Sequence, residues 1–148
     1  MTVKAILSHK GDAVVTVAPT ASLRDAITIL DERQIGSVVI TDSDQQVMGI
    51  LTERDVFRTL ARKARNTGAC QICDEPVGEV MTREVETCRM GDTIYEIMRR
   101  MTEKRFRHLP VVEDRRLVGI ISIGDVVKHR LQEMEFESEA LRQYVQVA

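Results

Sequence analysis

The chain has no apolar run close to the roughly 20 residues that a membrane-spanning helix requires. Its most apolar stretch, Leu117 to Ile123, is short and interrupted by Gly119, so no span is expected. The opening residues, Met1 to Asp12, meet charge too early to hold the apolar core of a signal peptide, and export is not expected either. Cysteine is scarce: three in 148 residues. That odd number, without a secretion signal, argues against a disulfide scaffold and for free thiols in a reducing compartment. The expected location is the cytoplasm. An excess of charge is lacking too, because 21 Lys and Arg against 23 Asp and Glu leave a formal charge of -2. So weak a field does not hold a nucleic acid. The motifs GxGxxG, GxxxxGK[ST], HExxH and GxSxG are all absent, and an intrinsic enzyme is not expected. What remains is 43% hydrophobic and 30% charged, the composition of an ordinary globular domain with enough surface to bury a real core.

The strongest positive signal is an internal repeat. Gly49-Ile50-Leu51-Thr52-Glu53-Arg54-Asp55-Val56 recurs as Gly119-Ile120-Ile121-Ser122-Ile123-Gly124-Asp125-Val126, each reading G-I-apolar-[ST]-x-x-D-V. Upstream, Leu23, Ala26, Ile27 and Leu30 match Ile94, Ile97, Met98 and Met101. Both sets fall at i, i+3, i+4, i+7 and predict one apolar stripe on a short helix. Ser22 with Asp25, and Thr93 with Glu96, have the spacing of a capping box at the start of those helices. After each helix two β-rich runs flank a polar turn: Ser37 to Thr41 with Val47 to Leu51, and Leu109 to Val112 with Leu117 to Ile121. They predict hairpins. Thr52 and Ser122 then open further helices, and first strands are expected near Val14 to Val17 and Val85 to Cys88.

The fold class is therefore α+β: two βαββα repeats, each with a mixed three-stranded sheet, packed sheet to sheet with pseudo-twofold symmetry. Residues 1–65 form the first repeat, 66–76 a linker, and 77–148 the second repeat with its C-terminal helix. The pair makes one module. The last helix intersperses Leu131, Met134, Leu141 and Tyr144 with charges and offers a face for another subunit.

The two G-I-x-[ST]-x-x-D segments, each ending a hairpin and opening a helix, resemble the paired cystathionine-beta-synthase domains, or CBS-domain pair, also called a Bateman module. The likeness runs from about Val3 to Met134, and within that family it is to the small stand-alone bacterial proteins. The resemblance implies a non-enzymatic regulatory module that binds an adenine nucleotide, AMP, ATP or NAD(H), or a related adenosyl ligand such as S-adenosylmethionine, in the clefts between units. It further implies a homodimer that reports to an unknown regulated protein, with no nucleic-acid or membrane partner and no metal.

Two readings of the duplicated motif stay open. Thr52 with Asp55 and Ser122 with Asp125 have capping-box spacing, and an acid in the first helical turn is favourable without any ligand. Alternatively each carboxylate accepts hydrogen bonds from both hydroxyls of a ribose, while Thr52 and Ser122 hold a phosphate oxygen. By resemblance, Arg107 and His108 match positions that meet phosphates, with Arg105 beside them. Ile35, Gly36, Val38, Phe106 and Pro110 match positions around the adenine, and Thr16 and Thr87 match positions that also touch the nucleotide. Gln34, Gly36 and Ser37, the first-repeat counterparts of the cationic run, carry no charge, so the two clefts are expected to be chemically unequal. Arg54 reaches toward a phosphate where its counterpart Gly124 cannot; Lys10 is a weaker candidate, better read as solvated. Cys70 and Cys73 suggest a redox or metal switch, but no second pair completes a zinc site. A ligand-free dimerisation scaffold is the remaining alternative.

Overall fold

Each half of the protein is organised by one hairpin and by the helix that covers it. The computed structural model describes residues 1–67 and 74–147. Its elements run α1 (Val3–Lys10), β1 (Thr16–Val17), α2 (Leu23–Arg33), β2 (Ser37–Thr41), β3 (Val47–Thr52), α3 (Glu53–Thr67), α4 (Val77–Val80), α5 (Ile94–Lys104), β4 (His108–Glu113), β5 (Arg116–Ser122) and α6 (Ile123–Val147). The mixed α+β class and the repeat of hairpin and helix agree with the sequence reading.

Local chemistry explains the boundaries. Ser22 Oγ accepts the Asp25 amide at 3.1 Å, and Thr93 Oγ1 accepts that of Glu96 at 3.2 Å, so both predicted helix starts are capped. Among the described residues only that half of each box forms, while the next amides are satisfied from outside the helix: Leu23 donates to the Glu75 carbonyl and Ile94 to that of Met1. Both helices end on a left-handed residue, Gln34 at φ 51° and Arg105 at φ 57°, which turns the chain into β2 or toward β4. The hairpin loops differ. Asp114 and Arg115 both have positive φ, a two-residue turn, whereas Asp42 to Gln46 is longer and is stapled by the Asp42 carboxylate, which accepts the Asp44 and Gln46 amides.

The first sheet has the order β1-β2-β3, with β1 parallel to β2 and β2 antiparallel to β3. In the second, β4 and β5 pair antiparallel, and the third strand shrinks to a parallel bridge between Cys88 and Val111. That ladder stops early because the Met90 amide turns to the Glu113 carboxylate at 2.8 Å.

The halves exchange their leading helices. Val3, Ile6 and Leu7 of α1 are buried in the second core, among Ile94, Ile97, Leu109, Val111 and Ile121. Val77 and Met81 are buried in the first, among Leu23, Ala26, Val38 and Leu51. At eight residues α1 is too short to be stable alone, and burying its apolar face supplies about 1.5–3 kcal/mol per large side chain. Two glycines admit these helices. A side chain at Gly119 would place its Cβ 2.6 Å from Leu7 Cδ1, and one at Gly49 would lie 2.9 Å from the Thr82 carbonyl oxygen. The repeated glycine of the motif is thus a seat for the helix contributed from elsewhere in the chain.

Candidate functional site

Both copies of the motif form reciprocal capping boxes. The Thr52 amide and hydroxyl donate to Asp55 Oδ2 at 2.9 and 3.1 Å, and the Asp55 amide donates back to Thr52 Oγ1 at 3.3 Å. Ser122 and Asp125 repeat the pattern at 2.9, 3.0 and 3.2 Å. Each motif thus satisfies two helix-start amides. What differs is the rest of each carboxylate's surroundings.

Around the first motif the halves enclose a cleft of about 540 Å³. That lies within the roughly 300–1,000 Å³ of small-molecule sites. Its first wall is Gly36 with Thr52, Glu53, Arg54, Asp55 and Arg58; its second is the run from Lys104 to His108, closed below by Thr82 to Glu86. The left-handed turn at Arg105 aims this run across the cleft, and the His108 ring lies against Gly36, where an added Cβ would come 3.0 Å from Nε2. Asp55 Oδ1 accepts the Thr82 hydroxyl at 3.1 Å. The guanidinium groups of Arg54, Arg58, Arg105 and Arg107 make no ion pair among the described residues. Lys104, by contrast, binds Glu86, which Arg100 also holds at 2.9 Å. The hydrogen bonds from Lys104 and then Arg100 keep the Glu86 carboxyl below its ordinary range against a smaller opposing effect of burial. Burial also pushes the His108 imidazole below its usual value despite nearby Glu53, so it is poised neutral next to uncommitted arginines. Four guanidiniums without an ion pair among the described residues thus face one cleft, an arrangement whose charge and donor geometry would suit an anion.

Around the second motif the carboxylate is already occupied. Lys10 Nζ, at the end of α1, donates to Asp125 Oδ2 at 2.7 Å and to the Ile120 carbonyl at 2.8 Å. Burial acts to raise the Asp125 pKa, but the Lys10 and Ser122 hydrogen bonds together outweigh it and hold the carboxyl below its ordinary range. Lys10, better read from sequence as solvated, is therefore an ion-pair partner of the second motif.

The structure brings Gly36, Thr52, Arg54, Asp55, Arg105, Phe106, Arg107 and His108 into one cleft. It places Lys10, Ser122 and Asp125 together at the second motif. Ile35 lines a separate shallow hollow with Ile27 and Val56. Ser37 and Val38 are buried in β2 and Pro110 in β4. Thr16 is exposed on β1, and the Thr87 carbonyl accepts Arg100 at 2.8 Å. Sequence reading missed Arg58, Thr82 and Lys104. Arg58 lies one helical turn beyond Arg54, a spacing that could have flagged it; Thr82 reaches Asp55 from 27 residues away with no local signal. Cys70 and Cys73 lie outside the described residues. Among the described residues no group of three or more His, Cys, Asp or Glu is placed to hold a metal, and no helix is long and apolar enough to cross a membrane.

Two hairpin-and-helix units with exchanged leading helices, each carrying one copy of the hydroxyl-carboxylate motif, define a paired-repeat module. The chain belongs to the CBS-domain family, which matches residues 3–62 and 77–132, one copy per half. The CBS-domain protein ATU1752 from Agrobacterium tumefaciens is 45% identical, with a TM-score of 0.79 over 88% of this chain and 99% of that one. The CBS-domain pair of protein MJ0100, solved with 5-methylthioadenosine and S-adenosyl-L-methionine, is 27% identical, with a TM-score of 0.76 over 90% and 98% of the two chains. CBSX2, solved with AMP, is 27% identical, with a TM-score of 0.72 over 90% and 98%. Three curated relatives that are 33%, 37% and 32% identical are longer, and the chain spans 59%, 34% and 39% of their lengths.

Proposed function

We propose that this protein is a non-enzymatic sensor that binds one adenine nucleotide in the cleft at the first motif and passes its occupancy to a partner. The observation that carries this reading is the convergence of Asp55 with four unpaired guanidiniums in one cleft. A carboxylate half-buried at a helix start suits the vicinal hydroxyls of a ribose, and arginines suit phosphate oxygens bidentately. Arg54, Arg105 and Arg107, with His108, would take the phosphates, and Phe106 and Gly36 would flank the base. Relatives crystallised with AMP and with S-adenosyl-L-methionine support an adenosine-containing ligand as the class. The mechanism is a population shift: the ligand touches both halves, so it favours the relative arrangement in which both walls reach it. The rest of the proposal is a homodimer in the cytoplasm acting on a protein partner.

A second reading is favoured by one observation, the complete capping boxes at both motifs, which need no ligand to account for Asp55 and Asp125. That reading is a constitutive scaffold. Calorimetry with AMP, ATP, NAD, NADH and S-adenosylmethionine on ligand-stripped protein separates the two: binding of at least one supports the sensor, and no heat with any of them leaves the scaffold.

A further inference from the structure

Helix α6 continues well past the part of the chain that matches the family, which ends at residue 132. Its 25 residues span about 37 Å at 1.5 Å per residue. The body of the protein packs against one side of it, through Val126, His129 and the half-buried Glu133. The opposite side carries Gly124, Val127, Leu131, Met134, Ser138, Leu141 and Val145, spaced alternately by three and four residues. That is the period of a two-helix seam. Among the described residues nothing covers it: Leu131 is 54%, Met134 51% and Leu141 65% exposed.

We infer that this seam is built to receive the α6 helix of a second copy of the same chain, antiparallel, with Leu131 of one protomer facing Met134 of the other. Three features select this occupant and register. The first is charge complementarity. With Leu131 opposite Met134, Lys128 faces Glu135 of the partner subunit and Arg130 faces Glu137 of the partner subunit. Shifting the antiparallel pair by one heptad puts Glu135 against its own copy and Lys128 beside Arg142 of the partner subunit. The second is apolar matching on the flank: the chosen register sets Ile123, which is 41% exposed, against Tyr144 of the partner subunit, which is 76% exposed. A parallel pair would set Ile123 against Lys128 of the partner subunit. The third is shape. Ile123, Gly124, Val127 and Leu131 line an apolar hollow on the helix, open because Gly124 has no side chain. The antiparallel register seats Leu141 of the partner subunit there; a parallel pair brings two glycines together and leaves it empty. The inference specifies the contact of the proposed homodimer and is independent of any nucleotide.

Sedimentation of the full chain at micromolar concentration, with charge reversals, tests it. Leu131→Glu, at an exposed position, is expected to give a folded monomer with native far-ultraviolet circular dichroism and a melting temperature that no longer depends on protein concentration. Glu135→Lys alone is expected to weaken the dimer by about fivefold, in the range of exposed ion pairs, and Lys128→Glu with Glu135→Lys to restore it. In a background with Cys70→Ser and Cys73→Ser, Val127→Cys with Ser138→Cys is expected to cross-link two chains on oxidation, while Ser138→Cys alone is not. A monomeric native protein would overturn the inference. So would a dimer indifferent to Leu131→Glu, a double reversal that fails to restore, or a Ser138→Cys variant that cross-links by itself, which would mark a parallel pair. Nucleotide affinity measured in the same Leu131→Glu protein keeps a failure here distinct from a failure of the sensor reading.

Discussion

The two motif sites share a scaffold and differ in chemistry. Thr52 with Asp55 and Ser122 with Asp125 make matching hydrogen bonds to within 0.1 Å, so duplication preserved the capping box. The contrast comes from segments that lie outside the motif. At the first site Thr82 touches the carboxylate, and the second repeat's Arg105 and Arg107 face it across an open cleft. At the second, the end of α1 delivers Lys10 onto the carboxylate. A repeat therefore dictates where two sites stand, while the exchanged leading segments decide whether each carboxylate meets a cation, as Asp125 meets Lys10, or a neutral hydroxyl, as Asp55 meets Thr82.

Removing the cationic wall is the most forceful way to break this comparison. Arg105→Ala with Arg107→Ala is expected to cost about 3 kcal/mol or more in nucleotide affinity, two charge-assisted hydrogen bonds at roughly 1.5 kcal/mol each, measured by calorimetry. Stability should change little, since neither side chain is ion-paired or buried. Next in size is the seat of the exchanged helix: Gly119→Val is expected to destabilise by about 2 kcal/mol, as overpacking against Leu7, read from urea unfolding. An unaffected midpoint would show that α1 is not wedged into the second core.

Lys10→Met sharpens the electrostatic half of the contrast. The pair is partly exposed, with the Lys10 side chain 32% accessible, so about 1 kcal/mol or less of stability should be lost. The Asp125 titration midpoint, followed by NMR, should move up as the Lys10 hydrogen bond is lost. An unmoved midpoint would remove Lys10 from the second site.

The smallest expected effect is on pH dependence. Burial depresses His108 and, together with His9 and Lys128, His129, whose Nδ1 is buried without a partner. A depressed imidazole favours the folded state fully above the ordinary histidine value near 6.5, and that contribution is lost as pH falls through the lowered folded value. The depressed Asp125 carboxyl adds a separate loss at more acid pH, below the ordinary value near 3.9. Unfolding midpoints should therefore fall between pH 7.5 and 5, and His129→Gln should flatten that slope. An undiminished slope would assign it elsewhere.

Much of this architecture was legible in the sequence because its signals are local. The stripes at Leu23 to Leu30 and Ile94 to Met101, the capping spacings and the duplicated G-I-x-[ST]-x-x-D segments each concern residues within two turns of one another. The exchanged helices were not legible. Val3, Ile6 and Leu7 make only a two-turn stripe, and their partners lie more than eighty residues on. For the same reason Lys10 read as solvated, since its carboxylate is 115 positions away. Which cleft Arg105 and Arg107 serve depends on how the halves face each other, and no spacing within either repeat encodes that.

The central claim is that the two motifs, alike in geometry, are unequal in binding. Calorimetric titration of Asp55→Ala and Asp125→Ala, with the nucleotide that binds the native protein, tests it most directly. The expected result is a loss of about 1.5–3 kcal/mol in affinity for Asp55→Ala, with Asp125→Ala binding as the native protein does. Equal losses in both variants, or native affinity in Asp55→Ala, would contradict it.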